Sequence, residues 1–320
     1  MTDRTITTVN PATETELARY ERMNDDQMFE ALKACHDAFD EWRLTPATRR
    51  AEIIARIGQQ LSSRKEELAQ LMTDEVGKLI GDSRDEVDLC AAICEWTAKQ
   101  GPEVLADEHR SLQDGRQGII TYSPVGVIYG IQPWNFPAYQ AVRYSIANLM
   151  AGNGVLLKHA ANCTGSGLLL REIYESAGLP KNLFTVMTID HDQSDKLIAH
   201  ELVRGVTMTG SASGGSIIAK TAGEHLKKTV LELGLNDAYL VLEDADLDLA
   251  VKTCVAGRIY NNGETCVNAK RFIVTDAVYD AFVERYVDAM SKVVAGNPND
   301  EETGLGPMAR GDLRDTLHQQ

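Results

Sequence analysis

Between residues 126 and 233 short apolar runs alternate with amphipathic stretches of helical length, and this alternation restricts the possible folds more than any other feature of the chain. GVIYGI (126–131), VLLK (155–158), LFTVMT (183–188), GVTMT (205–209) and KTVLEL (228–233) read as strands. The segments 138–150, 163–178, 193–201 and 213–223 between them read as helices. Strands and helices repeating at this spacing predict a doubly wound, Rossmann-like parallel sheet of the α/β class, covered by helices on both faces. Such sheets bind ligands beyond the carboxyl ends of their strands. Trp134, Asn135, Lys158, Gly210 and Glu232 all fall at strand ends.

The preceding region reads differently. Asn24 is placed to cap a helix over DDQMFEALKACHDAFDEW, and Thr45-Pro46 opens a second helix that the periodicity carries to Gly81. A third runs to Gly101-Pro102, and GRQGIITYSP within 105–123 suggests a hairpin or arm. After residue 240 a helix (246–259), a strand RFIVT (271–275) and a helix (276–294) open a second α/β unit. These readings give a cofactor domain over 1–104 and 124–233, an arm over 105–123 and a catalytic domain over 234–320.

Charge narrows the partners. The chain of 320 residues carries 32 Lys and Arg against 47 Asp and Glu, a net charge of −15. An acidic surface repels phosphate backbones and anionic lipid, so neither nucleic acid nor membrane is an expected partner. The opening residues have no apolar signal-peptide core, and a cytoplasmic protein is expected. Its six cysteines, Cys35, Cys90, Cys94, Cys163, Cys254 and Cys266, are then reduced thiols. Cys90 and Cys94, four apart in a helical pattern, read as core thiols; further ligands are not in evidence nearby, so no metal is expected.

Several residues carry possible chemistry, each with a plainer alternative. Cys266 follows Asn261-Asn-Gly-Glu-Thr, a turn able to present a thiol and its own N–H to a carbonyl; taken alone, it reads as a buried hydrophobe, since a free Cys is usually inert packing. Glu264, two residues earlier, would oppose thiolate formation if it faced the sulfur. Glu232 is either a general base or a solvated strand-end acid. Asn135, between Pro133-Trp134 and Phe136-Pro137, is an oxyanion donor or a turn residue. Gly210-Ser-Ala-Ser-Gly-Gly215 is a phosphate-binding turn or a tight strand–helix connection, and it departs from G-x-G-x-x-G.

Taken together, GVIYGIQPWNFP (126–137), AGNGVLLKHA (151–160), TMTGSASGG (207–215), VLELG (230–234) and NNGETC (261–266) resemble the NAD(P)-dependent aldehyde dehydrogenase superfamily. LLKHA and GPMARGDLRD point to its bacterial succinate-semialdehyde dehydrogenase branch. The resemblance runs from about residue 8 to the end and implies an aldehyde dehydrogenase-like fold. It implies that Cys266 is the nucleophile, that Asn135 and the Cys266 N–H form the oxyanion hole, and that Glu232 activates the hydrolytic water. It places Trp134, Lys158, Gly210, Ser211 and Gly215 against the cofactor, with Lys158 at the adenosine ribose or its 2′-phosphate. Arg143 would take the distal carboxylate of the aldehyde, for which a guanidinium fork is suited; otherwise it is a helix-surface charge.

Departures from the family pattern are specific. Leu235 replaces a glycine, Ala238 a proline, Glu264 a glutamine, and Tyr260 an arginine kept by some members. In Lys158-His-Ala-Ala161 the usual ribose-binding glutamate is missing, which favours NADP, or use of both cofactors, over strict NAD. The glutamate that would act as hydrolytic base disfavours a CoA-acylating enzyme. Family members continue well beyond Gln320, so the resemblance implies a C-terminally truncated chain with an incomplete catalytic domain. The competing expectation is an inactive fragment that at most binds nucleotide. Family members are homo-oligomers, an assembly the shortened chain puts in question.

Overall fold

The computed structural model describes residues 4–113 and 115–320. Two strands, β1 (Thr5–Val9) and β2 (Glu16–Glu21), form an antiparallel ribbon. Four helices follow: α1 (Asp25–Trp42), α2 (Ala47–Ser63), α3 (Lys65–Val76) and α4 (Ile80–Val104). Asn24 caps α1 in a reciprocal box with Gln27. The single helix expected from Thr45 to Gly81 is instead two. The chain breaks at Arg64, and α3 ends at Gly77, whose φ of +73° is left-handed; Gly81 lies inside α4. A second antiparallel ribbon, β3 (Glu108–Ser111) and β4 (Gln117–Ile120), occupies the predicted arm.

The alternating region forms one parallel sheet. In chain order it contains β5 (Val127–Gln132), α5 (Pro137–Met150), β6 (Gly154–His159), α6 (Thr164–Ser176), β7 (Phe184–Val186), α7 (His191–Ala199), β8 (Val203–Thr209), α8 (Ala212–Glu224) and β9 (Lys228–Glu232). The spatial order β7-β6-β5-β8-β9 reverses direction between β5 and β8, which opens a crevice at their carboxyl ends. Side chains alternate between two cores. Val127, Tyr129 and Leu156 pack with Met28, Leu32, Leu197 and Ile218 from α1, α7 and α8. Ile128, Val155 and Leu157 pack with residues of α2, α4, α5 and α6. Gly130 is required in β5: a Cβ there would lie 2.3 Å from the Tyr144 ring of α5. The Tyr144 hydroxyl crosses the sheet to donate to the Leu156 carbonyl at 3.0 Å.

Buried carboxylates fix two helix starts. Glu75 accepts from the N–H groups of Gly165 (2.8 Å) and Ser166 (3.0 Å) and from the Ser166 hydroxyl (2.6 Å) at the start of α6. Glu86, ion-paired with Lys78, accepts from the N–H groups of Ala138 and Tyr139, both at 2.8 Å, at the start of α5. The remaining elements are β10 (Ala238–Val241), α9 (Leu247–Ile259), β11 (Arg271–Val274), α10 (Tyr279–Ser291) and α11 (Gly311–Gln319). β10 and β11 pair in parallel as a separate two-stranded sheet. Among the described residues no helix is long and apolar enough to cross a membrane.

Candidate active site

Burial separates one thiol from the rest. Cys35, Cys90, Cys94, Cys163 and Cys254 are buried, and Cys266 is half-buried. Burial pushes the Cys35 and Cys94 thiols up to about 12 and drives Cys90 and Cys163 well above the usual thiol range. Such thiols yield almost no thiolate near neutrality and are poor nucleophiles. Cys90 and Cys94 pack in the main core. Cys163 touches the imidazole of His159 at 3.0 Å, but burial holds that ring down at about 4, so it is neutral.

The turn before Cys266 is built from residues that tolerate left-handed backbone. Asn261, Asn262 and Gly263 have φ of 52°, 56° and 74° in succession. Asn262 then braces the turn, donating to the Gly77 carbonyl (2.9 Å) and accepting from the Gly306 N–H (2.9 Å). The reversal delivers Glu264 to Asn135, whose Nδ2 donates to the Glu264 carbonyl at 2.8 Å. Asn261 Nδ2 donates to the Asn135 carbonyl at 3.0 Å. An asparagine amide carries two N–H donors, so Asn135 keeps one for a ligand after serving Glu264. Its own loop is held by Pro137 at the first turn of α5 and by Lys78, whose ammonium lies 4.0 Å from the Phe136 ring centroid.

The Glu264 carboxyl is turned to the main chain at Ala309. It accepts from the Ala309 N–H at 3.2 Å, and burial, opposed by that bond and by Lys78 and Arg310, raises it to about 7. Glu232 ends the exposed edge strand β9, with its side chain 54% exposed. Its nearest cation is Arg143, Nη1 to Oε1 3.7 Å, and the Arg143 guanidinium carbon lies 5.6 Å from the Tyr139 ring centroid. Lys270 links the two halves: its ammonium donates to the carbonyls of Leu235 (2.6 Å) and Cys266 (3.2 Å). Contacts therefore run from Asn135 through Glu264 to Cys266, on through Lys270 to Leu235, and from Glu232 to Arg143 on α5, the helix that Asn135 introduces.

The other candidates lie along the carboxyl ends of the sheet. Lys158 is the penultimate residue of β6 and is half-buried, and burial, with Arg22 nearby, lowers it below the usual lysine value. It lines an apolar cavity of about 390 Å³ with Ile131, Met208, Gly214, Ile217 and Ile218. It also lines a polar cavity of about 290 Å³ with Arg22, Asp190 and Arg310. Ser211 caps α8, its Oγ accepting from the Gly214 N–H at 3.1 Å. The Gly210 N–H donates to the Glu232 carbonyl at 3.0 Å, which anchors this turn to the end of β9. At Gly215 a Cβ would stand 2.5 Å from a methyl of Leu233, so the glycine lets that side chain pack close against the start of α8. Trp134 is half-buried against Val76, Cys163 and Ala309. Sequence reasoning missed Asn261 and Lys270. The left-handed preference of Asn-Asn-Gly was a usable signal for the first; the second acts through backbone carbonyls, which leave no pattern in side-chain types.

A doubly wound sheet, a crevice at its switch point and a half-exposed thiol two residues beyond the carbonyl that takes the Asn135 amide are features consistent with a dehydrogenase-type site. The aldehyde dehydrogenase family model matches residues 1–320, and the chain belongs to that family. It is 44% identical over 312 residues to the NAD(P)+ succinate semialdehyde dehydrogenase Sad of Escherichia coli, covering 98% of this chain and 67% of that protein. It is 39% identical over 307 residues to an NADP+ succinate-semialdehyde dehydrogenase of Deinococcus radiodurans, covering 96% and 64%. Among solved structures, succinic semialdehyde dehydrogenase from Streptococcus pyogenes in complex with NADP+ superposes with a TM-score of 0.95 at 35% identity, covering 98% of this chain and 69% of that one. The chain thus spans roughly two thirds of the length of these relatives.

Proposed function

We propose that the chain oxidises succinate semialdehyde, or a similar short carboxylated aldehyde, to the acid with NADP or NAD, NADP being favoured. The observation that supports this reading is the bond from the Asn135 amide to the Glu264 carbonyl, two residues before the half-buried Cys266. The names of the relatives support the choice of substrate and cofactor.

The Cys266 thiolate attacks the aldehyde carbon and forms a thiohemiacetal. The free N–H of Asn135 and the Cys266 backbone N–H hold the oxyanion. When bound, NAD(P)+ supplies the hydride acceptor. Loss of hydride leaves a thioester on Cys266. Glu232 then takes a proton from the water that hydrolyses it, and the thiolate and free acid are released. Arg143 binds the far carboxylate.

The residues present fit a dinucleotide. The apolar cavity at Ile131, Met208 and Ile218 suits a purine ring, with Lys158 on its wall for the ribose or a 2′-phosphate. In this reading Gly210, Ser211 and Gly215 at the start of α8 take the pyrophosphate and Trp134 the groove beside it, which the Ser211-capped start of α8 supports. The same reading takes 1–104 and 124–233 as the cofactor domain, 105–123 as an oligomerisation arm and 234–320 as catalytic. It also takes the protein as cytoplasmic, with the family's homo-oligomeric assembly left in question for this shortened chain. The test is absorbance of NADPH formed from succinate semialdehyde: turnover that vanishes in Cys266→Ala supports the reading, and its absence in the parent chain rejects it.

A further inference from the structure

We propose that Lys270 is a positioning residue that sets the separation between the thiol of Cys266 and the carboxylate of Glu232. The inference rests on the catalytic roles proposed above for those two residues. They share no sheet: Glu232 ends β9 of the five-stranded sheet, and Cys266 lies in the turn that precedes β11 of the two-stranded one. Their spacing is therefore not fixed by any ladder of strand hydrogen bonds.

The side chain of Lys270 spans that gap. Its ammonium donates to the Leu235 carbonyl at 2.6 Å, three residues after Glu232, and to the carbonyl of Cys266 itself at 3.2 Å. An ammonium has three donors and no acceptor, and here two are directed at main-chain oxygens. Among the described residues Lys270 makes no ion pair with a carboxylate, unlike Lys33, Lys65, Lys196 and Lys292. The bond to the Cys266 carbonyl restrains the peptide that follows the thiol, and so the direction in which the side chain leaves the backbone.

The neighbouring arginine provides an internal control. Arg271 also ties the two segments, its Nε and Nη2 donating to the Asn236 carbonyl at 3.1 and 2.8 Å, but it does not reach Cys266. Removal of Lys270 therefore leaves the joint between the segments closed while freeing the nucleophile. Removal of Arg271 loosens one tie of a joint that the β10–β11 pairing and the Lys270–Leu235 bond still hold, and it leaves the contact to Cys266 in place. Misplacement of a reacting group by about 1 Å costs up to roughly 100-fold in rate.

The experiment uses the full 320-residue chain and reads thiol chemistry apart from turnover. The rate of Cys266 alkylation by iodoacetamide is measured by peptide mapping for the parent, Lys270→Met, Lys270→Gln, Lys270→Arg and Arg271→Gln, with thermal unfolding of each. Lys270→Met and Lys270→Gln are expected to change the alkylation rate by about 10-fold with little change in Tm. Lys270→Arg is expected to restore it, and Arg271→Gln to lower Tm while leaving alkylation within about twofold. Alkylation unchanged in both Lys270→Met and Lys270→Gln, or altered equally in Arg271→Gln, overturns the proposal. Failure of the parent chain to reduce NADP rejects the dehydrogenase reading but leaves this comparison of thiol reactivity decisive for Lys270.

Discussion

The Arg143 guanidinium stands 3.7 Å from the Glu232 carboxylate, so the cation proposed for the far end of the substrate also faces the proposed base. Both side chains are more than a third exposed, at 37% and 54%, and a pair so placed contributes only about 0–1 kcal/mol. A substrate carboxylate able to bind the guanidinium in two places is a stronger partner and displaces Glu232 from it.

Arg143→Gln is therefore expected to raise KM for succinate semialdehyde by about 10–100-fold, the loss of a charge-assisted contact of about 1.5–3 kcal/mol. KM for butanal, which lacks the carboxylate, is expected to change less than about threefold. Steady-state kinetics with the two aldehydes checks this. Equal losses on both assign Arg143 to structure instead.

Lys158 gives a cofactor prediction. Its side chain is half-buried between an apolar and a polar cavity, where an added phosphate charge is worth more than in water. Lys158→Met is expected to weaken NADP by about 10-fold or more and NAD by much less, in line with one lost charge-assisted hydrogen bond. Dissociation constants for the two dinucleotides, measured without aldehyde, check it. Equal weakening contradicts it.

Glu264 gives a prediction about pH. Burial raises its carboxyl from the ordinary 4.5 to about 7 in the folded chain. Between those values the folded state binds more protons than the unfolded one, so stability falls as pH rises through that window. Glu264→Gln keeps an oxygen to accept from Ala309 and cannot ionise. It is expected to leave stability unchanged below about pH 4.5 and to raise it by about 1–3 kcal/mol above about pH 7, with a flatter slope between. A slope remains, because burial raises Glu75 to about 7 as well, despite its bonds from Ser166 and Gly165. Unfolding by urea across pH checks this, and identical slopes for parent and variant contradict it.

Much of this molecule could be read from its residues because a strand buried on both faces is written as a continuous apolar run. β5, β6 and β8 are such strands. β1 and β2 escaped detection because ribbon strands such as TITTV and ELARYE expose many of their side chains and show no such run. β10, a four-residue AYLV after a loop, was too short to stand out. The break at Arg64 was hidden because the helical period of α2 continues into α3, and the stop at Gly77 was passed over because Leu79 and Ile80 extend the apolar pattern to Gly81. At the site, Cys266, Asn135 and Glu232 were visible as motif residues. The Asn135–Glu264 and Lys270–Cys266 bonds were not, because each ends on a carbonyl oxygen that every residue possesses.

The most direct test of the account is to trap the intermediate on the sulfur. Glu232→Gln, given succinate semialdehyde and NADP+ and then quenched in acid, is expected to carry a succinyl thioester on the peptide containing Cys266. NADPH should form in equal amount and then stop, because the thioester is made but not hydrolysed. NADPH formation with Cys266 unmodified and the adduct on another side chain, or sustained turnover in Cys266→Ala, would contradict it.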